Sequence, residues 1–197
     1  MFENILLNVS RNITLTDDEK ATFTGLLERK LVPRKTVLLR AGDICQFEAY
    51  IVKGCARIYH VDINGCEIIL SFAVEDWWIS DLASFHEQKP STFFIEALEK
   101  TEILMLSPQN KQRLLREVPK FERVFRILIQ RSLYTTQNRL LSTIGKSAME
   151  RYLEFVDLYP TVPPRVPQYQ IASYIGVSPE FISIIRRRLA SKTDQAP

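Results

Sequence analysis

The hydrophobic pattern of the chain changes its period near Ser107-Pro108, and this change constrains the fold more than any other feature. Before it, short β-rich segments are separated by turn signals such as Asp62-Ile63-Asn64-Gly65, which indicates a hairpin loop. After it, apolar residues recur every three or four positions, which is helical spacing. Many short strands followed by helices predict an α+β chain, with an antiparallel sandwich or barrel at its N-terminal end.

The predicted strands cover residues 35–40, 47–52, 56–61, 67–73, 93–97 and 101–107. A helix from about residue 17 to 28 precedes them, opened by a capping box in which Thr16 and Glu19 satisfy each other's backbone amides. A second capping box, Ser147 to Glu150, opens a helix that stops at Pro160. The proline-rich run from Pro160 to Pro167 is predicted to be a stiff extended connector.

Charge divides the chain at the same place. Residues 1–107 carry 11 Lys and Arg against 16 Asp and Glu, whereas residues 108–197 carry 15 against 7. The basic C-terminal half is a candidate for binding a polyanion, and solvated arginines on a dimeric helix are the alternative. No basic n-region precedes an apolar segment and no apolar run is long enough to span a bilayer, so we expect a cytoplasmic protein without a membrane partner.

The inventory of reactive side chains disfavours an enzyme. Cys45, Cys55 and Cys66 lack metal-ligand spacing, and His60 and His86 are the only histidines. A cupin-type metal site or a catalytic triad needs more convergent donors than these. We therefore predict no catalytic residues, no metal and no bound cofactor. A redox role for one of the cysteines is the alternative.

A long helix is predicted over residues 119–145. It is apolar over more than one stripe, so it covers more than its own sheet domain. We predict that it pairs with a second copy of itself, since homodimers are the commonest oligomers, and packing only within the chain is the alternative. The predicted dimer residues are Phe121, Val124, Phe125, Leu128 and Thr135.

The segment from Gln168 to Leu189 has the pattern of a helix-turn-helix. A short helix with Ile171, Ala172 and Ile175 on its inner face leads to Gly176, which permits the positive φ of a tight turn. Val177 fills the corner, and Phe181, Ile182, Ile185 and Leu189 form the predicted buried stripe of the second helix. The predicted DNA-binding residues are Ser178, Pro179, Glu180, Ser183, Ile184, Arg186 and Arg187.

These residue types suit base and phosphate contacts. Ser178 is the predicted N-cap, Pro179 stands at N1, and Glu180 can accept a hydrogen bond from a cytosine amino group. Arg186 and Arg187 can reach guanine edges or phosphates. A terminal helix that is merely solubilised by its arginines is the alternative.

The order of these parts resembles the Crp/Fnr family of transcription regulators over nearly the whole chain. The stretch Tyr-Ile-Val-Lys-Gly-Cys-Ala-Arg-Ile-Tyr at residues 50–59, the hairpin at 62–65 and the strand at 67–72 resemble the family's cyclic-nucleotide-binding β-roll. The resemblance implies three regions: a β-roll sensor over residues 1–118, a dimerisation helix over 119–145 and a helix-turn-helix domain over 146–197. The family often has Arg where Ile184 stands, which changes the expected base preference.

The effector pocket departs from the nucleotide-binding members of that family. The resemblance places it at Ser80, Asp81, Leu82, Ser91 and Thr92. Family members that bind cAMP have an arginine there to neutralise the cyclic phosphate, and here no arginine lies between Arg57 and Arg113. We therefore expect no tight binding of cAMP, and Trp77, Trp78 and Phe85 suggest an apolar filling or a different ligand.

The resemblance implies a homodimeric, sequence-specific DNA-binding regulator. Its expected partners are double-stranded DNA, a second copy of the chain, a small-molecule effector and RNA polymerase. The alternatives are a ligand-binding β-roll whose C-terminal helices bind protein instead of DNA, and a β-roll enzyme of the cupin type.

Overall fold

A computed structural model describes residues 2–193, with side chains described as far as residue 188. In this part of the chain the strands are β1 (Glu28–Val32), β2 (Val37–Leu39), β3 (Glu48–Lys53), β4 (Ala56–Val61), β5 (Glu67–Ala73), β6 (Trp78–Ile79), β7 (Phe94–Ala97) and β8 (Thr101–Leu106). The helices are α1 (Glu3–Ser10), α2 (Asp17–Gly25), α3 (Leu82–Glu87), α4 (Pro108–Glu117), α5 (Phe121–Gly145), α6 (Ala148–Leu158), α7 (Gln168–Ile175) and α8 (Pro179–Thr193).

The strands form a β-roll of two four-stranded sheets in which every strand pair is antiparallel. The strand orders are β1-β8-β3-β6 and β2-β7-β4-β5. The loop between β4 and β5 is the predicted hairpin turn, because the Asp62 carboxylate accepts from the N–H groups of Asn64 at 2.9 Å and Cys66 at 2.8 Å. The six predicted strands are confirmed, β4 and β5 with the predicted bounds.

The local pattern does not predict four elements, namely α1, α3, β1 and β6. Residues 28–31 of β1 are exposed, so this edge strand lacks an apolar face, and its pairing with β8 makes it a strand. That pairing also corrects the end of α2. The helix ends at Gly25, not near residue 28, because Glu28 is already paired with Met105 of β8.

Both capping boxes are confirmed. At α2, the N–H of Glu19 donates to Thr16 Oγ1 at 3.3 Å, and the N–H of Thr16 donates to the Glu19 carboxylate at 2.8 Å. At α6, Ser147 and Glu150 form the same reciprocal pair. These caps satisfy helix-end amides that the helix itself leaves without partners.

The first half of α5 packs into the protein's own core. Phe121 and Val124 are fully buried and Phe125 is 6% exposed, in an apolar cluster with α1, α2, α4 and the strands β3 and β8. Leu128 and Thr135 are partly buried and line a cavity described below. The prediction that Phe121, Val124 and Phe125 face a second copy is therefore wrong, because the β-roll and its flanking helices already cover these side chains. For Leu128 and Thr135 it stays a prediction.

A different stripe of α5 is exposed and apolar. Ile129, Leu133, Leu140 and Ile144 follow one another at intervals of four, seven and four residues, which places them on one helix face. Their exposed fractions range from 44% to 76%. Since the buried face of α5 lies elsewhere, this stripe is available to a partner.

The C-terminal helices share an apolar cluster with the β-roll, which we call the joint. At its centre is Phe72 of β5, whose ring lies 5.9 Å from Phe155, 5.8 Å from Tyr159 and 5.7 Å from Tyr174. Phe72 and Tyr159 are each 1% exposed. Aromatic burial of this kind stabilises both parts, so α6 and α7 are packed on the outer face of the sheet.

Helix α7 also covers the edge of that sheet. Strand β5 is an edge strand, and its register against β4 slips so that Leu70 has no partner. The hydroxyl of Ser173 donates to the Glu67 carbonyl at 2.7 Å and accepts from the Ile69 N–H at 3.1 Å. These bonds satisfy main-chain groups that an open edge would expose.

The proline-rich connector is compact, which corrects the prediction of an extended segment. The N–H of Val162 donates to the Tyr159 carbonyl, and those of Arg165 and Val166 donate to the Val162 carbonyl. Val162 is fully buried and Val166 is 8% exposed, both in the joint. Apolar burial of these two valines folds the run into turns despite its four prolines.

Arg165 of this connector bridges two acidic residues of the β-roll. Its guanidinium donates to both carboxylate oxygens of Glu75, at 2.8 and 3.0 Å, and to Glu99 at 2.5 Å. A planar guanidinium suits such a forked contact. The bridge therefore ties the C-terminal helices to the β-roll beside the joint.

Replacing Arg165 with Met keeps the aliphatic stem and removes the bridge to Glu75 and Glu99. Hydrogen bonds to charged groups contribute about 1.5–3 kcal/mol, and exposure of both carboxylates reduces this, so we expect a loss of about 1 kcal/mol in the free energy of unfolding. Urea unfolding measures the loss. The control is Arg113→Met, which breaks the exposed Arg113–Glu117 pair and should cost at most about 0.5 kcal/mol.

The effect of Arg165→Met should depend on pH. Partial burial acts to raise the pKa of Glu75, but hydrogen bonds from Arg165 and the Gly54 N–H outweigh it and hold the pKa below its ordinary value of 4.5. A carboxylate whose pKa is lowered in the folded state stabilises that state at pH values above its ordinary pKa. This stabilisation is lost as the pH falls through the lowered pKa. The loss in the free energy of unfolding caused by Arg165→Met should therefore be smaller at pH 3 than at pH 7. An equal loss at both pH values would contradict the assignment of the Arg165–Glu75 ion pair.

Candidate functional sites

The turn between α7 and α8 has the geometry that the sequence predicts. Gly176 takes φ 78° and ψ 45°, the left-handed conformation that glycine adopts without strain. The N–H groups of Gly176 and Val177 both donate to the Ala172 carbonyl, at 2.9 and 3.0 Å. The turn therefore closes the end of α7 and sends the chain directly into α8.

The start of α8 is capped as predicted. The hydroxyl of Ser178 accepts from the Phe181 N–H at 3.3 Å. The backbone N–H of Glu180 and the Ser178 hydroxyl donate to the Glu180 carboxylate, and they hold its pKa below the usual range. Ser183 is tied to both helices, since Gln168 Nε2 donates to its hydroxyl at 3.1 Å and the hydroxyl donates to the Pro179 carbonyl at 3.4 Å.

The outer face of α8 gathers the predicted DNA-binding residues. All seven are exposed: Ser178, Pro179, Glu180, Ser183, Ile184, Arg186 and Arg187. Ile182 and Ile185 form the buried stripe at 0% and 1% exposure, as predicted. Phe181 is 41% exposed, which corrects its assignment to that stripe. Leu189, the last residue of the predicted stripe, lies outside the side chains that the structure describes.

A cavity of about 790 Å³ lies where the β-roll, α5 and the C-terminal helices meet. Its β-roll wall includes Ile58, Leu70 and Phe93, and its far wall includes Tyr159 and Tyr174. Volumes of about 300–1,000 Å³ are typical of small-molecule sites. The cavity therefore has the size of a small-molecule site and touches both the β-roll and the C-terminal helices.

Three of the five predicted pocket residues line this cavity: Ser80, Asp81 and Leu82. Ser91 and Thr92 do not line it. The Ser91 hydroxyl instead donates to the Asp81 carboxylate at 2.6 Å, and that carboxylate also accepts from the Ser84 N–H at 3.2 Å as the N-cap of α3. Asp81 is 6% exposed and Ser91 is 4% exposed, so the two side chains satisfy each other.

The arginine that precedes this segment in the sequence is paired with other residues. Arg57 of β4 is 4% exposed, and its guanidinium pairs with Glu67 at 2.5 Å and Glu96 at 2.6 Å. It is absent from the cavity walls. A cyclic phosphate in the cavity would therefore meet no arginine at the place where the β-roll resemblance expects one.

The aromatic residues of the predicted pocket divide between walls and core. Trp77 and Trp78 line the cavity, and Trp78 Nε1 donates to Asn8 at 3.2 Å. Phe85 does not line it, because the residue is 4% exposed within the β-roll core. Of the three aromatic residues predicted to fill the pocket, Trp77 and Trp78 therefore line the cavity and Phe85 does not.

Sequence reasoning missed Arg139 of α5, which lines the cavity and joins its walls. Its guanidinium donates to the carbonyls of Leu70 and of Ile69, the latter at 2.9 Å, and to that of Tyr174 at 2.8 Å. It also lies 4.1 Å from the centre of the Tyr174 ring. No local signal marks it, because an arginine on an amphipathic helix is normally solvated.

The reactive side chains do not assemble into a metal site. Among residues 2–188, no group of three or more His, Cys, Asp or Glu side chains could hold a metal ion. Burial raises the pKa of the Cys55 thiol to about 12, which keeps it protonated at neutral pH. His60 Nδ1 lies 3.0 Å from the Thr92 carbonyl, and His86 lies 3.9 Å from Glu48.

No helix within the described residues has both the length and the hydropathy needed to cross a membrane. The family model of the cyclic nucleotide-binding domain matches residues 29–118. No curated protein sequence matches the chain.

Solved structures of transcription regulators share the fold. The c-di-GMP responsive global regulator CLP of Xanthomonas campestris is 17% identical, with a TM-score of 0.70 over 90% of this chain and 93% of that one. FixK2 of Bradyrhizobium japonicum is 14% identical, with a TM-score of 0.76 over 85% and 86%. A protein described as a transcriptional regulator of the Crp/Fnr family from Eubacterium rectale is 16% identical, with a TM-score of 0.67 over 90% and 85%. Residues 29–118 therefore form a domain of the cyclic nucleotide-binding family, within a chain that has the fold of Crp/Fnr transcription regulators.

Proposed function

We propose that this protein is a homodimeric, sequence-specific DNA-binding transcription regulator, with a β-roll that responds to a small molecule other than cAMP. The observation that carries the proposal is the outer face of α8, where Glu180, Ser183 and Arg186 are exposed above a buried stripe. In a helix-turn-helix, such a face enters the major groove, with its N-terminal residues at the base edges and other contacts on phosphates.

The exposed residues suit this task. Glu180 accepts from a cytosine amino group, Arg186 donates to guanine or phosphate, and Ile184 can contact a thymine methyl. Two copies related by a twofold axis read a palindromic site, with half-sites one helical turn of about 10–10.5 bp apart or a multiple of it. The effector acts by shifting the balance between two arrangements of the reading heads. RNA polymerase is the further partner expected of a regulator that activates transcription.

The second candidate is a ligand-binding module whose C-terminal helices contact a protein. The observation in its favour is that Phe181 and Ile184 on α8 are each 41% exposed, which suits an apolar partner. Salt dependence separates the two functions. Affinity for DNA falls steeply as salt rises because phosphate contacts release counterions, whereas an apolar protein contact does not.

Replacing Arg186 with Ala should lower DNA affinity by about tenfold, because one good arginine contact contributes about 1–3 kcal/mol. Fluorescence anisotropy measures this on a site selected by pull-down of genomic fragments at low salt. The control is Arg116→Ala, an exposed arginine of α4 that lies far from α8 in sequence. Recovery of no DNA at low salt would contradict the regulator, and equal losses for both variants would remove α8 as the reading helix.

We expect no binding of cAMP or cGMP at micromolar concentrations. Asp81 already accepts from Ser91 and Ser84, and no arginine stands at the phosphate position, so a cyclic phosphate would be a poorly compensated charge. Isothermal titration calorimetry of the full chain tests this directly. Micromolar affinity for either nucleotide would contradict this expectation.

The exposed apolar stripe of α5 is the proposed dimer interface. The double variant Leu140→Asp, Ile144→Asp should convert the dimer to a monomer, because each carboxylate would be buried in the interface without a partner. Sedimentation velocity measures the mass. The matched control is Leu7→Asp, since Leu7 of α1 is 57% exposed and lies on another element. A parent protein that sediments as a monomer at micromolar concentration would contradict the proposal.

A further inference from the structure

We propose that the cavity binds a small amphipathic monocarboxylate, with an apolar body against the β-roll and α5 and its carboxylate on Arg131. The proposal names the effector class of the regulator, and only its effect on DNA rests on the function proposed above. Arg131 lines the cavity from α5 and is exposed.

The walls select an apolar body. Leu70, Leu82 and Phe93 face the cavity from the β-roll, and Leu128 and Ile129 face it from α5. Each of these side chains keeps part of its surface exposed, so the walls are not filled by the protein's own atoms. Burying their remaining surface against an apolar ligand is favourable, at about 25 cal/mol per Å².

The carboxylates of the cavity already have partners within the protein. Glu48 pairs with Lys111 at 2.7 Å, and Asp76 pairs with Arg11 at 2.5 Å. Asp81 accepts from Ser91 as described. These carboxylates therefore need no cation from a ligand.

Arg131 differs from the other arginines of the cavity. Arg139 donates to three main-chain carbonyls, and Arg11 is paired with Asp76. Within the described residues, no hydrogen bond or ion pair engages the Arg131 guanidinium. Of the three cavity arginines, Arg131 is thus the one whose guanidinium donors are open to a ligand, and a planar guanidinium binds a carboxylate through two parallel bonds.

Two of the three hydroxyl groups that α5 places along the cavity are not free to donate to a nucleotide, and the third belongs to Ser132. The hydroxyl of Thr135 donates to the Arg131 carbonyl at 3.0 Å, and that of Thr136 donates to the Ser132 carbonyl at 2.9 Å. Both protons are thus used within the helix. A ribose and a base would bring many polar atoms that these walls leave without partners, which is costly in a buried site.

Arg131 remains available when α5 pairs with a second copy. At 100° per residue, it lies about half a turn around the helix from the stripe of Ile129, Leu133, Leu140 and Ile144. Arg131 and the proposed dimer interface therefore lie on different faces of α5, although Ile129 of the stripe also lines the cavity. A ligand there would also touch Tyr174 of α7, so it would bias the position of the reading head.

The chain carries its own reporter for this site. Trp77 and Trp78 are the only tryptophans in the sequence, and both line the cavity. Titration of the full chain with decanoate, followed by tryptophan fluorescence, should therefore give a saturable change. Decanol, which has the same apolar body without the charge, should bind about tenfold more weakly.

Arg131→Gln should remove that preference. We expect decanoate affinity to fall about tenfold and decanol affinity to stay unchanged, because only the charged contact is lost. The matched control is Arg123→Gln, an exposed arginine of α5 that is not in the cavity wall, and it should behave as the parent. Circular dichroism checks that both variants are folded.

Three outcomes would overturn the proposal. The first is equal binding of decanoate and decanol to the parent, and the second is a decanoate affinity that Arg131→Gln leaves unchanged. The third is displacement of decanoate by micromolar cAMP, which would show that the ligand is a nucleotide. The decanoate titration contains no DNA, so it does not depend on the proposed function. A failure to bind DNA would appear in the anisotropy measurement and would leave the result of the titration unchanged.

Discussion

The guanidinium of Arg139 joins three parts of this protein, namely α5, β5 and α7. It starts on α5, donates to the carbonyls of Ile69 and Leu70 on β5, and reaches the Tyr174 carbonyl at the end of α7. The Leu70 carbonyl is available because the register slip leaves that residue unpaired with β4. Without this contact, main-chain acceptors at a sheet edge and at a helix end would lose their partner together.

The same junction explains why the β-roll and the C-terminal helices pack against each other. Ser173 and Arg139 satisfy the edge of the β-roll, Phe72 enters the aromatic cluster of α6 and α7, and Arg165 bridges to Glu75 and Glu99. The cavity opens between these contacts. The cavity walls include residues of both the sheet and α7, so the proposed coupling between a ligand and the DNA-binding helices requires no separate pathway.

Local chemistry predicted much of the architecture. The capping residues Thr16 and Ser147, the turn at Asp62 and the left-handed Gly176 each act within a few positions of the chain, and each forms the predicted contact. The exposed face of α8 follows from its helical period for the same reason. The shape of the proline-rich connector could not be predicted from local sequence, because burial of Val162 and Val166 against distant residues decides it.

The sequence by itself determined six of the eight strands of the described chain, most of the helices, the caps and turns, the helix-turn-helix and the absence of an arginine at the expected phosphate position. These features depend on residue type and short spacing. Only the tertiary structure decided which stripe of α5 is buried. It also decided that Ser91 donates a hydrogen bond to the Asp81 carboxylate and that Arg131 and Arg139 line a cavity. These depend on contacts between residues far apart in the chain, and helical periodicity cannot say which neighbour a given face will meet.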